Sequence, residues 1–285
     1  MRPLLVSVLA IFIGALPAFA ADEDKWVTIK GKFVWDTAKG PAPKRVPLKA
    51  DNNADVAAKD PDFNSEQWIV NPKNGGIKNV IVWLAPEPTA PAELAALKKS
   101  QENETSYKFK SFKPADFHPD LAKPATPTVE IDQPCCRFIP HVVLARAGQD
   151  MVIKNSAPCS HNARWISSLN GEHNPIIQSK QEFVIKELKA ESYSITVSCD
   201  IHKWMRAYVR VYDHPYFALT DADGVFEIKK VPVLGGKLRL FAFHEEAAMH
   251  GGKSGRFGHA LEVKAGTKDL GEIKLAFGDE KKKDK

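Results

Sequence analysis

An alternating run of residues that ends in a cysteine constrains the fold of this chain more than any other feature. Between residues 192 and 199, Tyr193, Ile195 and Val197 alternate with serine and threonine. A period of two is typical of a β-strand that buries one face. The run therefore predicts a strand whose apolar face lies against a core, and the same parity turns Cys199 inward at its end.

Similar short runs, separated by turn residues, predict an all-β protein. A short helix is predicted over Glu93–Lys99, and the Pro-, Asp- and Asn-containing stretch from Thr37 to Asn64 is predicted to be a long surface excursion. The other predicted strands are Val27–Trp35, Gln67–Val70, Lys78–Leu84, Pro140–Leu144, Met151–Lys154, Phe183–Ile185, Ala207–Val211, Val225–Ile228, Lys237–Phe243, Ala260–Val263 and Glu272–Phe277.

The N-terminus has the features of a secretory signal. Met1-Arg2 is a short positive segment, Leu4–Leu16 is apolar, and Ala18-Phe19-Ala20 fits a small-x-small cleavage site. The apolar run is short for a membrane span, although an uncleaved anchor is the alternative. We therefore expect a periplasmic or secreted protein with no transmembrane segment in the mature chain.

The charge pattern argues against a nucleic-acid partner. The formal net charge is only +5, and the lysines are scattered among Asp and Glu instead of forming one basic face. The 44% apolar content is enough to build ordinary globular cores.

Two separated motifs carry a complete set of metal donors. The first, Asn-Ser-Ala-Pro-Cys-Ser-His-Asn, ends in His161 and Asn162, and the second, Cys-Asp-Ile-His-Lys-Trp-Met, supplies Cys199, His202 and Met205. One thiolate, two imidazoles and one thioether are the ligands of a blue-copper site. We predict one copper ion, cycling between Cu(I) and Cu(II), on His161, Cys199, His202 and Met205. A zinc ion on the same His and Cys side chains is the alternative, and a chance spacing is another.

The two motifs resemble those of the cupredoxins, such as plastocyanin and amicyanin, and the short Cys-x-x-His-x-x-Met loop is most similar to that of amicyanin. The resemblance covers about Val129–Asp213 and implies a Greek-key β-sandwich with copper near one end. It implies that Asn162 ties the ligand loops together through hydrogen bonds. It also implies that His202 lies at a solvent-facing edge and passes electrons.

A looser resemblance concerns the segment from His214 to His244, which is similar to carboxypeptidase-regulatory or transthyretin-like sandwiches. The predicted organisation is a signal peptide (1–20), an N-terminal β-rich segment packing on the cupredoxin-like domain (21–99), a linker (100–128), the cupredoxin-like copper domain (129–213), a small C-terminal β-sandwich (214–277) and a charged tail (278–285).

The four cysteines allow more than one disulfide pairing. If Cys199 binds metal, then at most one pair forms among the other three. A bridge between the adjacent Cys135 and Cys136 would be strained, so Cys159 is the better partner for one of them. We favour Cys135–Cys159, with Cys136–Cys159 as the alternative.

Other residues are candidates for additional roles. His141, which follows Pro140 near Cys136, is a candidate outer-sphere group or additional metal ligand. Cys136 is a further candidate ligand. His244, His250 and His259 form a loose cluster that a second copper or zinc ion would suit, with a solvated loop as the alternative. Trp204, between His202 and Met205, either meets a redox partner or shields the loop.

The sequence favours an exported type 1 copper protein that carries single electrons. Its partners would be redox proteins, such as a c-type cytochrome or a dehydrogenase. The alternatives are a copper storage, delivery or sensing protein, and a structural sandwich with a vestigial motif. An enzyme is not expected, because four ligands would leave no open position on the metal.

Overall fold

The computed structural model describes residues 23–250 and 255–276. The predicted signal peptide, residues 1–20, and the predicted tail, residues 278–285, lie outside this part of the chain. Within it, β-strands dominate and gather into several sheets, which confirms the predicted all-β fold class.

The strands occur in the following order along the described chain. They are β1 (Trp26–Trp35), β2 (Ile81–Pro86), β3 (Thr128–Ile131), β4 (Val142–Arg146), β5 (Asp150–Asn155), β6 (His161–Asn162), β7 (Arg164–Ile166), β8 (Glu172–His173), β9 (Ile176–Ile177), β10 (Gln181–Ile185), β11 (Ile195–Ser198), β12 (Arg206–Tyr212), β13 (Phe217–Leu219), β14 (Val225–Pro232), β15 (Lys237–His244), β16 (Ala248–Met249), β17 (His259–Glu262) and β18 (Gly266–Leu275). The α-helices are α1 (Ala54–Ala57) and α2 (Pro91–Glu102).

The middle of the chain forms a sandwich of two sheets, which we call the central sandwich. One sheet has the order β10–β5–β3 and the other the order β4–β12–β11–β7–β8, while β6 and β9 form a separate small pair. Both sheets contribute to one apolar core, because their inward side chains are aliphatic or aromatic at alternate positions. That core includes Ile131, Met151, Ile153, Trp165, Val197, Val209 and Val211.

The alternating run around β11 behaves as predicted over most of its length. Ile195, Val197 and Cys199 are all buried, so the thiol does point inward at the end of the strand. The prediction for Tyr193 is wrong, because this side chain is 79% exposed. The strand begins only at Ile195, and the parity of a strand does not extend into the bend that precedes it.

The two ends of the chain form a second sandwich, which we call the composite sandwich. One sheet has the order β14–β1–β18, and the other the order β13–β2–β15–β16, with β17 paired to β15. Strand β1 lies antiparallel to β14 and parallel to β18, and β2 lies between β13 and β15. The shared core includes Val27, Ile29, Phe33, Leu84, Phe226 and Leu240.

This topology changes the expected relation between the chain ends. We predicted an N-terminal segment (21–99) packing on the central domain and a separate small sandwich (214–277). Instead, β1 and β2 insert between strands of the C-terminal segment, so that the two segments share both sheets. Backbone hydrogen bonds to strands at a large sequence separation leave no mark on the local sequence, which is why periodicity did not reveal this pairing.

The two sandwiches are joined by a third apolar cluster. Ile81 from β2, Val142 from β4 and Tyr212 from β12 are buried there together. The Arg210 guanidinium lies over the Trp83 ring, 4.9 Å from its centroid, which adds a cation–π contact to the same contact region.

Residues 46–66, which we call the cap segment, pack on the central sandwich. Residues 37–64, which include most of this segment, were predicted to be a surface excursion, and that prediction is wrong where the segment packs on the core. Val56 and Ala57 in α1 are buried in the core of the central sandwich, and the Phe63 ring lies edge-on to the Trp204 ring at 5.9 Å. Polar and charged residues make up about half of the segment, so the apolar ones that make these contacts did not stand out in the sequence.

Ion pairs hold the cap segment in place. Arg137 donates from Nη1 to Asp60 at 2.8 Å and lies 2.8 Å from Glu66 through Nη2. The side chains are largely shielded from water. Removing one partner of such a shielded pair leaves the other charge uncompensated, at a typical cost of about 3–5 kcal/mol.

The predicted short helix is confirmed and is longer than expected, since α2 spans Pro91–Glu102. Among residues 23–250 and 255–276, none of the helices combines the length and apolar character needed to cross a membrane.

Buried histidines make stability depend on pH, and His214 and His244 are two of them. Burial lowers the pKa of His214 and of His244 from 6.5 to about 4. Between pH 6.5 and about 4, these histidines are protonated in the unfolded chain but stay neutral in the folded chain. We therefore expect the free energy of unfolding to fall as pH drops from about 6.5 to about 4, by about 1.4 kcal/mol per pH unit for each such histidine. Urea denaturation at pH 7.5, 5.5 and 4.5 measures this.

The variant His214→Phe tests the assignment. It keeps the aromatic contacts but loses the hydrogen bond that His214 Nδ1 accepts from the Tyr216 N–H at 3.0 Å. It should be less stable than the parent protein at pH 7.5 but should have a shallower pH dependence. An unchanged slope would show that His214 does not contribute.

Candidate metal centre

Two loops meet at one end of the central sandwich and carry the predicted ligands. The first follows β5 and leads through Cys159 to His161 in β6. The second connects β11 to β12 and runs from Cys199 to Met205. Its ends are closed by two backbone hydrogen bonds, Cys199 N–H to Met205 O at 3.3 Å and Met205 N–H to His202 O at 2.8 Å. The strands thus fix both ends of a tight loop.

The Asn162 side chain connects these two loops. Its Oδ1 accepts hydrogen bonds from the backbone N–H of Asp200 at 2.8 Å and of Ile201 at 3.3 Å, and the Cys199 thiol lies 3.2 Å away. Its Nδ2 donates to Asp200 Oδ2 at 3.1 Å. The cupredoxin resemblance implied a linking role for Asn162, and these contacts are of that kind.

His161 is oriented by Asn155, a residue that sequence reasoning did not single out. Asn155 Nδ2 donates to the carbonyls of Cys159 and Ile177, each at 2.8 Å, so Oδ1 is the atom that faces His161 Nδ1 at 3.1 Å. That oxygen can only accept, so Nδ1 carries the proton. The lone pair of Nε2 is therefore free, and Nε2 lies 3.7 Å from Cys159 Sγ.

His202 is oriented in the same manner by Asn53 of the cap segment. Asn53 Oδ1 lies 3.0 Å from His202 Nε2, which leaves Nδ1 with the lone pair. Nδ1 lies 3.8 Å from Cys199 Sγ. Hydrogen bonds of this kind fix the tautomer and the ring direction of a metal-binding histidine.

His202 does not lie at a solvent-facing edge, so this expectation from the cupredoxin resemblance is wrong for this chain. The side chain is fully buried. The cap segment covers it through Asn53, and the Trp204 ring lies 5.2 Å from the imidazole. Trp204 also donates from Nε1 to Cys136 O at 2.9 Å, and it packs on Phe63, so it shields the loop.

A compact group of candidate metal ligands differs from the predicted ligand set. Ligand atoms of Cys136, Cys159, His161 and His202 all lie within 4.8 Å of one another. The two histidines belong to both sets. Cys199 is not in this compact group, although it is next to His202, and Met205 is buried in the same apolar core as Cys199.

The favoured Cys135–Cys159 disulfide is wrong. All four cysteines are free thiols, and Cys136 Sγ is the sulfur that lies 3.8 Å from Cys159 Sγ. Adjacent residues project their side chains in different directions, so only one of the pair can face the centre. Cys136, which we had named as an additional candidate, is the one that does.

Burial sets the protonation of the metal-free centre. It lowers the pKa of His161 to about 4, with the neighbouring His202 adding to the effect, and it lowers the pKa of His202 as well. Burial, followed by the nearby Cys159, raises the pKa of the Cys136 thiol to about 12. At neutral pH the imidazoles are uncharged, and the Cys136 thiol ionises only when a cation takes the place of its proton.

The donor spacing fits a metal ion. Bonds of about 2.0–2.3 Å to nitrogen and sulfur place two ligands of one ion about 3.3–4.0 Å apart in trigonal or tetrahedral sites. The Cys199–His202, Cys159–His161 and Cys136–Cys159 separations are 3.8, 3.7 and 3.8 Å. Soft sulfur with imidazole nitrogen is a donor set that suits copper or zinc.

The remaining candidates have other partners. His141 Nε2 lies 2.5 Å from Glu245 Oε1, and its Nδ1 lies 3.0 Å from Arg206 O, so it belongs to a polar network outside the compact group. His244 stacks on Trp68 at 4.2 Å, so it packs as an aromatic residue.

His250 and His259 come together, with 3.0 Å between His250 Nδ1 and His259 Nε2. Residues 251–254 of the same loop lie outside the described chain.

The chain was compared with known families, curated proteins and solved structures. No protein-family model and no curated protein matches the chain. A solved Cu(I) form of an amicyanin variant is 16% identical, covers 35% of this chain and 90% of its own, and has a TM-score of 0.27. A reduced amicyanin variant is 19% identical over 32% of this chain and 88% of its own, with the same TM-score of 0.27. Because these scores are low, the metal assignment depends on the side chains of this chain alone.

The Asn53 hydrogen bond should strengthen metal binding. We expect Asn53→Gly, which keeps the left-handed backbone conformation at φ 51 but removes the side-chain oxygen, to weaken Cu(I) binding by about 10-fold to 100-fold. Asn53→Asp retains an acceptor oxygen and is the matched control. Competition with a chromophoric Cu(I) chelator measures both variants, and equal affinities for the two would contradict the role of Asn53.

Proposed function

We propose that this protein is an exported copper protein whose buried centre accepts and releases one electron. The proposed ligands are His161, Cys199, His202 and Met205. The observation that carries the proposal is the orientation of the two imidazoles. Each is held by an asparagine oxygen, at 3.1 Å for His161 and 3.0 Å for His202. The other nitrogen is left free beside a thiol, the half-buried Cys159 for His161 and the buried Cys199 for His202.

Each residue contributes to this function in a definite way. Copper, when bound, supplies a one-electron couple between Cu(I) and Cu(II). Cys199 would bind as a thiolate, and the His202 N–H, which lies 3.4 Å from its sulfur, would stabilise the negative charge on it. Asn162 holds the loop that carries both residues. These hydrogen bonds limit how far the ligands move when the charge of the centre changes, and a small movement favours fast electron transfer.

The location and partners are proposals that rest on the sequence. The secretory signal supports a periplasmic or secreted protein, and redox proteins such as a c-type cytochrome or a dehydrogenase are the proposed partners. A catalytic role would require an open position on the metal, and four side chains fill the proposed set. We therefore propose a carrier and not an enzyme.

A specific observation favours a second candidate, a copper storage or delivery protein. His202 is fully buried beneath the cap segment, so the imidazole edge through which a carrier would exchange electrons is covered. Two further thiols, Cys136 and Cys159, also lie beside the imidazoles. A covered, thiol-rich site suits retention of Cu(I) better than rapid exchange of electrons.

The thiolate of Cys199 should dominate the spectrum of the copper-loaded protein. We expect intense visible absorption from thiolate-to-copper charge transfer, together with a narrow copper hyperfine splitting in electron paramagnetic resonance. Cys199→Ser should abolish the visible band, because serine cannot supply a thiolate. Cys135→Ser, which changes a thiol outside the compact group, should retain it.

Redox cycling separates the two candidate functions. A carrier should be reduced and reoxidised reversibly with full recovery of the visible band. A colourless protein that holds only Cu(I), or one that prefers zinc, would exclude the carrier. Retention of Cu(I) in that case would support storage or delivery.

A further inference from the structure

Two thiols at the centre have no role in the proposed ligand set. Cys136 Sγ and Cys159 Sγ lie 3.8 Å apart, and Cys159 Sγ lies 3.7 Å from His161 Nε2. Cys136 is fully buried and Cys159 is half-buried. Isolated structural cysteines do not require a histidine nitrogen beside them, so this arrangement calls for an explanation.

The six donors of the centre divide into two groups of three. The first, which we call the Cys136 set, consists of Cys136, Cys159 and His161. The second, the Cys199 set, consists of Cys199, His202 and Met205. Within the Cys136 set, two of the separations match those expected for ligands of one ion. In the Cys199 set, the sulfur of Cys199 and Nδ1 of His202 lie 3.8 Å apart.

The backbone holds Cys136 in an uncommon conformation that directs it to the centre. Its φ is 54°, in the left-handed region that few residues other than glycine adopt. The Trp204 side chain donates to its carbonyl at 2.9 Å, and the loop around it is closed by paired hydrogen bonds between Asp132 and Ile139, both at 2.8 Å. Strained residues of this kind concentrate at functional sites.

A second link fixes the two cysteines relative to each other. Asp132 Oδ2 accepts a hydrogen bond from Ser156 Oγ at 2.6 Å, and its Oδ1 accepts one from the Ser156 N–H at 3.0 Å. These bonds join the loop that carries Cys136 to the loop that carries Cys159. The separation of the two sulfurs is therefore set by the fold.

We propose that Cys136, Cys159 and His161 form a second Cu(I) site, so that the reduced protein binds two Cu(I) ions, one on the Cys136 set and one on the Cys199 set. With one ion bound, His161 completes the set of His161, Cys199, His202 and Met205; with two ions bound, it belongs to the Cys136 set. Two thiolates and an imidazole suit a soft monovalent ion. Binding at the Cys136 set releases two thiol protons to solvent, and binding at the Cys199 set releases one, with no change of oxidation state. The proposal rests on the proposed function, because it takes copper as the metal.

Anaerobic titration with Cu(I) tests this proposal on the mature protein. Native mass spectrometry counts the bound ions, and competition with a chromophoric Cu(I) chelator gives the affinity of each. The first variant combines Cys136→Ser with Cys159→Ser, and Cys159→Ser alone replaces it if the double variant does not fold. The second variant is Cys199→Ser. Cys135→Ser is the matched control, and circular dichroism checks that each variant is folded.

We expect two ions in the parent protein and in Cys135→Ser, and one ion in each of the other variants. One ion in the parent protein, retained when Cys136 and Cys159 are replaced, would overturn the second site. A single ion in the parent protein that is lost both from the Cys136 variant and from Cys199→Ser would also overturn it. A Cys136–Cys159 disulfide, found by thiol alkylation in the copper-loaded protein, would overturn it as well.

The visible spectrum keeps the two proposals separate. If the second site fails but the protein with serine at positions 136 and 159 shows the thiolate-to-copper band with Cu(II), the proposed electron-carrying centre stands. If the parent protein binds no copper at all, both proposals fail.

Discussion

The hydrogen bonds of the Asn162 side chain are the constraint on which the metal centre depends. One carbonyl oxygen accepts from two successive backbone N–H groups of the Cys199 loop, while Asn162 itself belongs to the strand that carries His161. The backbone pairing of β7 with β11 brings the two loops side by side, and the Asn162 bonds extend that link to the Cys199 loop beyond the end of β11. Packing is not directional, whereas a hydrogen bond to an amide fixes both distance and angle.

The cap segment completes the centre from outside the central sandwich. It buries Val56 and Ala57, places Asn53 on His202, and is anchored by the ion pairs of Arg137 with Asp60 and Glu66. The chain enters the cap segment from β1 and leaves it towards β2, both of which belong to the composite sandwich. The composite sandwich therefore supports the segment that covers His202. This gives the chain ends a structural role in the environment of the metal centre.

Local periodicity allowed much of the fold to be predicted, and its failures share one cause. The strands around Val27, Val209 and Leu240 were recognised because their alternation reflects burial of one face. The joining of β1 and β2 to C-terminal strands, and the burial of the cap segment, could not be recognised, because both depend on contacts between residues far apart in sequence. At the candidate centre, the motifs predicted His161, Cys199 and His202 as ligands, but neither Asn53 nor the approach of Cys136 to Cys159 follows from any spacing.

The sequence by itself determined which candidate metal donors the chain offers, two imidazoles, a thiol and a thioether in two motifs, and a strand whose parity buries Cys199. Side-chain chemistry and strand parity are local properties, so they can be read without the fold. Only the tertiary structure decided which donors meet. It brought Cys136 and not Cys135 to Cys159, and it covered His202 instead of exposing it. Such choices depend on loop conformation and on segments that pack across the whole chain, and neither leaves a periodic signal in the sequence.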